Sequence, residues 1–211
     1  MINKLSTVML AAPSQILPVV ETFHSLQGEG VWTGSSAFFI RLAGCDVGCS
    51  WCDTKVSWNP KRHPQYAVPH LVQQAQQSQP HMVVITGGEP LMHDLTALTH
   101  NLRQAGLRVH LETSGAHPFS GTFDWVSLSP KRFKPPHDSV YPHVSELKVV
   151  IAHADDLTWA EAEAAKVAPE TLKVLQPEWN SPESSQLIFD YILQHSDWRL
   201  SLQTHKFLGV R

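Results

Sequence analysis

"SAFFIRLAGCDVGCSWCDTK", residues 36–55, joins an apolar run to a loop that holds every cysteine of the chain, Cys45, Cys49 and Cys52. Residues 36–42 read as a buried strand, because the apolar letters run on without the alternation of a half-exposed one. The loop follows that strand directly. In a parallel sheet this places the three thiols at the C-terminal mouth, where α/β folds keep their chemistry. Gly44 and Gly48 let the backbone adopt positive φ and come close to whatever the thiols hold.

The rest of the chain supports a parallel sheet. Strand-like runs recur at 81–87, 107–115, 124–130, 146–152, 172–177 and 198–204. Helical patterns fall between several of them. In residues 93–106 the apolar positions Leu95, Leu98, Leu102 and Ala105 share a face, with Asp94 as N-cap and Gly106 as the stop. A second helix opens at Ser181 with Pro182 in its first position and buries Leu187, Ile188, Tyr191 and Ile192. A third covers 155–168, and another begins near Pro69. This alternation predicts βα units around a mostly parallel sheet. Segments 55–66 and 131–145, rich in Pro, His and Lys, read as loops.

At 211 residues, 42% of them hydrophobic, the chain can bury one substantial core and is expected to form one domain. A net charge of −3 without a Lys/Arg block gives no footprint for a phosphate backbone, so nucleic acid is not expected as a partner. No apolar run approaches the ~20 residues that span a bilayer. The first eighteen residues lack a secretory apolar core of roughly 7–15 residues. Three thiols within eight residues also suit a reducing compartment better than a disulfide framework, and a cytoplasmic protein without a membrane partner is expected.

Three thiolates can ligate three irons of a four-iron four-sulfur cluster and leave the fourth iron open. A zinc site is the rival. It requires four ligands, and thirteen histidines offer candidates, though none sits at ligand spacing beside the cysteines. A ferredoxin-like electron carrier would saturate all four irons and lacks the fourth cysteine. Spacing alone favours the reactive cluster only modestly. The run "TGGEP", residues 86–90, is by itself an ordinary turn from strand to helix.

Together, C-x3-C-x2-C and a strand ending in "TGGEP" resemble the radical S-adenosylmethionine enzymes. The resemblance narrows with "LQGEG" (26–30), "IRLAGC" (40–45), "CDTK" (52–55), "ETSG" (112–115), "SPK" (129–131), "QP" (176–177) and "QTHK" (203–206). These occur in the order seen in the 7-carboxy-7-deazaguanine synthase family, across about residues 20–211. A glycyl-radical activating protein shares the cysteines and GGEP but not "LQGEG" with "QTHK".

The resemblance implies an abbreviated, open (β/α)6 TIM-like barrel spanning 19–211, after an N-terminal extension at 1–18, and a homodimer. It implies a lyase in queuosine or deazapurine biosynthesis. S-adenosylmethionine is split to a 5′-deoxyadenosyl radical that takes hydrogen from 6-carboxy-5,6,7,8-tetrahydropterin. The ring then contracts, with Mg2+ assisting, to 7-carboxy-7-deazaguanine and ammonia. The electron donor would be a protein such as flavodoxin or ferredoxin. By the same resemblance Cys45, Cys49 and Cys52 hold the 4Fe-4S cluster. Gly88, Glu89, Ser114, Ser129, Pro130, Lys131 and Gln176 surround S-adenosylmethionine. Leu26, Gln27, Gly28, Glu29, Arg41, Thr86 and His205 line the substrate pocket, and Thr54 binds Mg2+.

The residues themselves leave alternatives. Arg41, at the end of a buried strand, pairs either with a substrate carboxylate or with Glu29 or Asp53. Gln27 and Glu29 offer donors and acceptors suited to an aminopyrimidinone edge. Thr54 is either a single oxygen donor for Mg2+ or a helix N-cap. His205, read as part of a terminal strand, either caps the pocket or is simply exposed.

Overall fold

The computed structural model describes residues 14–211. Nine strands form one sheet: β1 (Ile16–Leu26), β2 (Ser36–Leu42), β3 (Gln65–Ala67), β4 (Met82–Gly87), β5 (Val109–Thr113), β6 (Trp125–Leu128), β7 (Glu146–Ile151), β8 (Leu172–Pro177) and β9 (Trp198–Leu200). Their order is β3-β1-β2-β4-β5-β6-β7-β8-β9. Every pairing from β2 to β9 is parallel, and β1 joins β2 and β3 antiparallel. The first and last strands do not pair, which leaves an open, partial TIM-like barrel.

Helices α1 (Val68–Ser78), α2 (Thr96–Gln104), α3 (Asp155–Ala164), α4 (Ser184–Ile192) and α5 (Thr204–Leu208) follow β3, β4, β7, β8 and β9. The first four pack outside the sheet on a core that includes Ile40, Leu42, Leu71, Leu98, Leu111, Leu147, Leu175 and Ile188. Among the described residues no helix is long and apolar enough to cross a membrane.

Several boundaries differ from the sequence reading. The helix at 181–195 begins three residues later, because Ser181, Pro182 and Glu183 form a turn in which the Ser181 carbonyl accepts from the Ser184 amide at 3.3 Å. In α2 the N-cap is Leu95, and the Asp94 carboxylate accepts from the Thr96 amide at 2.9 Å. Segment 131–145 carries no α-helix, as expected, and 114–124 between β5 and β6 carries none either. A domain boundary between residues 18 and 19 would cut β1, whose Leu17 and Val19 both lie in the core. Of the expected extension, residues 1–13 fall outside the described residues.

The inward face of the barrel forms rungs set by strand register. Phe39, Val84, His110 and Trp125 are successive partners across β2, β4, β5 and β6. One rung nearer the mouth stand Arg41 beside Thr86, and Glu112 beside Ser127 beside Glu146. Beyond them Lys148 pairs with Val174, and Val150 with Gln176. The interior thus runs from apolar and aromatic at the bottom to charged near the top. Trp32 plugs the bottom, edge-on to Trp125 at 5.6 Å and to His110 at 5.4 Å, with the Arg108 guanidinium over its ring at 4.7 Å.

Candidate active site

The charged rungs open into a cavity of about 310 Å3 at the C-terminal mouth. One wall is the cysteine loop. Cys45, Cys49 and Cys52 are free, half-buried thiols on that wall; Gly44 (φ 111°), just before Cys45, and Gly48 (φ 79°), just before Cys49, supply the positive-φ positions of the loop. The Cys52 sulfur accepts from the Thr54 amide at 3.3 Å. Burial raises the Cys45 and Cys49 thiols above their ordinary value, so the thiolate form awaits a metal to stabilise it. Among the described residues no three His, Cys, Asp or Glu side chains converge as ligands of a single ion. The three thiols fit separate corners of a cluster better than one zinc centre.

The GGEP turn packs against this loop. A Cβ on Gly88 would lie inside van der Waals contact with the Gly44 carbonyl oxygen, and one on Gly87 would meet the Leu42 carbonyl. The Glu89 amide donates to the Gly44 carbonyl at 2.7 Å. Both glycines are therefore needed for two strand ends to meet. Glu89 itself is off the cavity wall and 1% exposed. Its carboxylate accepts from the Leu91 amide (3.0 Å), the Ser114 amide (2.8 Å) and the hydroxyls of Thr113 and Ser114. The Glu89 carboxylate thus fixes the end of β5 to the end of β4, so a cofactor contact by Glu89 would come from its backbone. Pro130, between Ser129 and Lys131, lines an adjoining groove that Trp51 and Lys131 share with the cavity.

The remaining candidates meet in the cavity. Leu26, Gln27, Gly28, Glu29, Arg41, Thr54, Thr86, Gly88, Ser114, Ser129, Lys131, Gln176 and His205 all line it. The Lys131 ammonium donates to the Ser129 carbonyl (2.6 Å) and hydroxyl (2.7 Å), and burial draws it down to about 8 against the opposing pull of Cys49. Arg41 takes neither alternative structural partner. Its Nε donates at 3.0 Å to Glu21, its neighbour across β1. His205 is not on a strand but on α5, which docks where Thr204 donates to the Gly28 carbonyl through its amide (2.9 Å) and hydroxyl (3.0 Å). A side chain on Gly28 would collide with the His205 ring.

The family-model comparison matches residues 39–140 to the Radical SAM superfamily. A 7-carboxy-7-deazaguanine synthase of Synechocystis sp. is 59% identical over 194 residues, covering 92% of this chain and 93% of its own. The chain belongs to the 7-carboxy-7-deazaguanine synthases. The synthase of Escherichia coli K12 is 32% identical over 220 residues, covering 92% and 98% of the two chains. The crystal structure of QueE from Escherichia coli superposes with a TM-score of 0.81 at 32% identity, over 90% of this chain and 95% of that one.

In this member of the 7-carboxy-7-deazaguanine synthases, the cavity contains charged residues, Glu112 and Lys148, to which the sequence reading assigned no role. Lys148 of β7 forms an ion pair with Glu29. Burial pushes the Glu29 carboxyl up, but Lys148 and the Gln203 amide, which donates at 2.7 Å, outweigh it and hold the group at about 2. Burial pulls Lys148 down, and Glu29, Glu112 and Glu146 together raise it above its ordinary value. Gln27 donates to Glu112 at 2.8 Å and accepts from the Glu29 amide at 3.1 Å. Glu146 holds the other side of the same turn, accepting from the Val31 amide and the Ser127 hydroxyl, each at 2.8 Å. Ser201 links the Gly30 amide (2.9 Å) to Gln176 (3.0 Å). The signal that could have found these residues is a charge on every second position of a buried strand: Glu146 and Lys148 between Leu147 and Val149, and Glu112 between Leu111 and Thr113.

Proposed function

We propose that this chain converts 6-carboxy-5,6,7,8-tetrahydropterin to 7-carboxy-7-deazaguanine and ammonia, as a radical S-adenosylmethionine carbon–nitrogen lyase of queuosine or deazapurine biosynthesis. The observation that carries the reading is one cavity lined by three free thiols and, across it, by an acid, amide and arginine set. Membership of the family supplies the reaction.

Cys45, Cys49 and Cys52 would hold the cluster, with its fourth iron left for S-adenosylmethionine. When bound, the cluster supplies the electron that splits S-adenosylmethionine and starts hydrogen abstraction. The protein's own residues bind, orient and exclude. Gly88, Ser114, Ser129, Lys131 and Gln176 form the wall nearest the cysteine loop's partner strands, and we assign them to S-adenosylmethionine. Leu26, Gln27, Gly28 and Glu29, with Arg41, Thr86, Glu112 and His205, form the substrate side.

Carboxylates of Glu29 and Glu112 and the Gln27 amide can pair with the N–H and carbonyl groups of an aminopyrimidinone. The Arg41 Nε is engaged by Glu21, which leaves both terminal amino groups for the substrate carboxylate. Phe23 and Phe39, stacked at 4.8 Å, offer an apolar face beside them. Thr54 fits a Mg2+ role. It occupies the N-cap position of a 3-10 turn, yet its side chain makes no capping bond. Its hydroxyl proton goes to Asp53 at 2.9 Å, so its lone pairs stay available. α5 covers this side and keeps water from the reacting atoms. A homodimer, a flavodoxin- or ferredoxin-like donor and a cytoplasmic location complete the proposal as family expectations.

The test is anaerobic incubation of the iron- and sulfide-reconstituted protein with reductant, S-adenosylmethionine, Mg2+ and the tetrahydropterin. Chromatography should show 7-carboxy-7-deazaguanine. Cleavage of S-adenosylmethionine without that product would instead favour an activating protein that acts on a polypeptide, and a colourless zinc-loaded protein would end the radical reading.

A further inference from the structure

At the cavity mouth a continuous chain of polar contacts joins Thr54 to α5. Thr54 donates its hydroxyl proton to Asp53 Oδ1 at 2.9 Å. The other Asp53 oxygen, Oδ2, faces Lys206 Nζ of α5 at 3.6 Å. Lys206 also donates to Gln203 Oε1 at 2.7 Å, and its ammonium sits 4.8 Å from the centre of the Trp179 ring. Gln203 in turn donates to Glu29 on the substrate side.

A threonine hydroxyl has one proton and two lone pairs. It can serve a cation only if its proton points elsewhere. Backbone contacts already fix where the Thr54 hydroxyl begins: its amide is held by the Cys52 sulfur, and its carbonyl accepts from the Ser57 amide (2.9 Å) and hydroxyl (2.7 Å). What remains free is rotation of the hydroxyl, and Asp53 fixes that. The Asp53 side chain is 59% exposed, so water would compete for it without a partner. Lys206 is that partner, and it is in place only when α5 is seated.

We propose that Asp53 is a positioning residue for the cation site at Thr54, and that Lys206 makes that site depend on the docked position of α5. This rests on the reading of Thr54 as a Mg2+ ligand. Asp53 polarises the hydroxyl and aims its lone pairs into the cavity, as carboxylates hydrogen-bonded to metal ligands do. A surface ion pair such as Lys206–Asp53 contributes little to folding stability. Its effect is therefore expected on cation affinity and not on thermal stability.

The experiment uses the reconstituted holoenzyme with S-adenosylmethionine and the tetrahydropterin but no reductant, so nothing turns over. Mn2+ replaces Mg2+ and is titrated by the loss of its free-ion electron paramagnetic resonance signal. Asp53→Ala is expected to weaken Mn2+ binding about 10- to 100-fold. Asp53→Asn, whose carbonyl still accepts the Thr54 proton but whose amino group no longer pairs with Lys206, should weaken binding several-fold, as Lys206→Met does, and less than Asp53→Ala. Lys206→Met should weaken binding several-fold and Lys206→Arg restore it, with the iron content of both unchanged. Because Lys206 lies outside the cysteine loop, this pair decides the matter even if Asp53→Ala loses its cluster.

Parent-like Mn2+ binding in Lys206→Met and Asp53→Ala overturns the inference while leaving the Thr54 reading standing. Equal losses in Asp53→Asn and Asp53→Ala also overturn it, because Asp53 would then be a direct ligand. Full Mn2+ binding by Thr54→Ala removes the underlying reading and the inference with it.

Discussion

Glu89 is a motif letter whose side chain serves the fold. Its carboxylate accepts four hydrogen bonds while almost fully buried. Glu89→Gln keeps the shape but turns an amino group toward the Ser114 or Thr113 donors. The expected loss is about 2–4 kcal/mol in urea unfolding, larger than for a cofactor contact on a cavity wall. Lys148 is the converse case, since no motif marks it and Glu29 depends on it. Lys148→Met leaves a buried carboxylate without its cation and should cost about 3–5 kcal/mol, read by the same unfolding measurement. Of the candidate site, the sequence disclosed what recurs as a local signature, namely the cysteines, GGEP, LQGEG and SPK. Glu112 and Gln203 open the ETSG and QTHK motifs, but nothing local marks their pairing with Gln27 and Glu29, 85 and 174 positions away, or that of Lys148 with Glu29, 119 away. Side chains brought together only by the fold leave no spacing to read.

At the level of elements, most parallel strands were legible because their outward positions lie under helices and their runs are rich in apolar letters, even where β5 and β7 carry inward charges. β1 was not. Its stretch "ILPVVETFHSL" mixes Pro, Glu, Thr and His, because it pairs antiparallel between β2 and the three-residue β3 and is only partly covered. Its first residues are nonetheless structural: Leu17 is 2% exposed and Val68 pairs through its amide with the Gln15 carbonyl at 2.9 Å. A chain beginning at residue 19 loses Leu17 and the β1–β3 pairing, worth about 2–3 kcal/mol for the leucine alone. Its thermal midpoint should fall by roughly 5–10 °C against a chain beginning at residue 14. The start of α5 was equally hidden, since "LQTHKFLG" carries a β-like beginning and a helix of only five residues. Ending the chain after Gln203 removes His205 and Lys206, and should raise the KM for the pterin while S-adenosylmethionine cleavage persists.

Across the whole molecule, the bottom rung contributes to acid sensitivity. Burial, reinforced by Arg108, holds the His110 imidazole down at about 4. In the unfolded chain the group titrates near 6.5, so between pH 6.5 and pH 4 the unfolded state binds more protons and stability is lost as pH falls. The expected loss over that window is about 1–3 kcal/mol. His110→Phe should flatten that slope in unfolding midpoints measured at pH 7.5, 6 and 4.5. The variant also removes a buried ring nitrogen that has no hydrogen-bond partner among the described residues. Below that rung sits the Trp32 plug. With the floor occupied, ligands would reach the cavity from the end where the cysteine loop and the terminal helix stand.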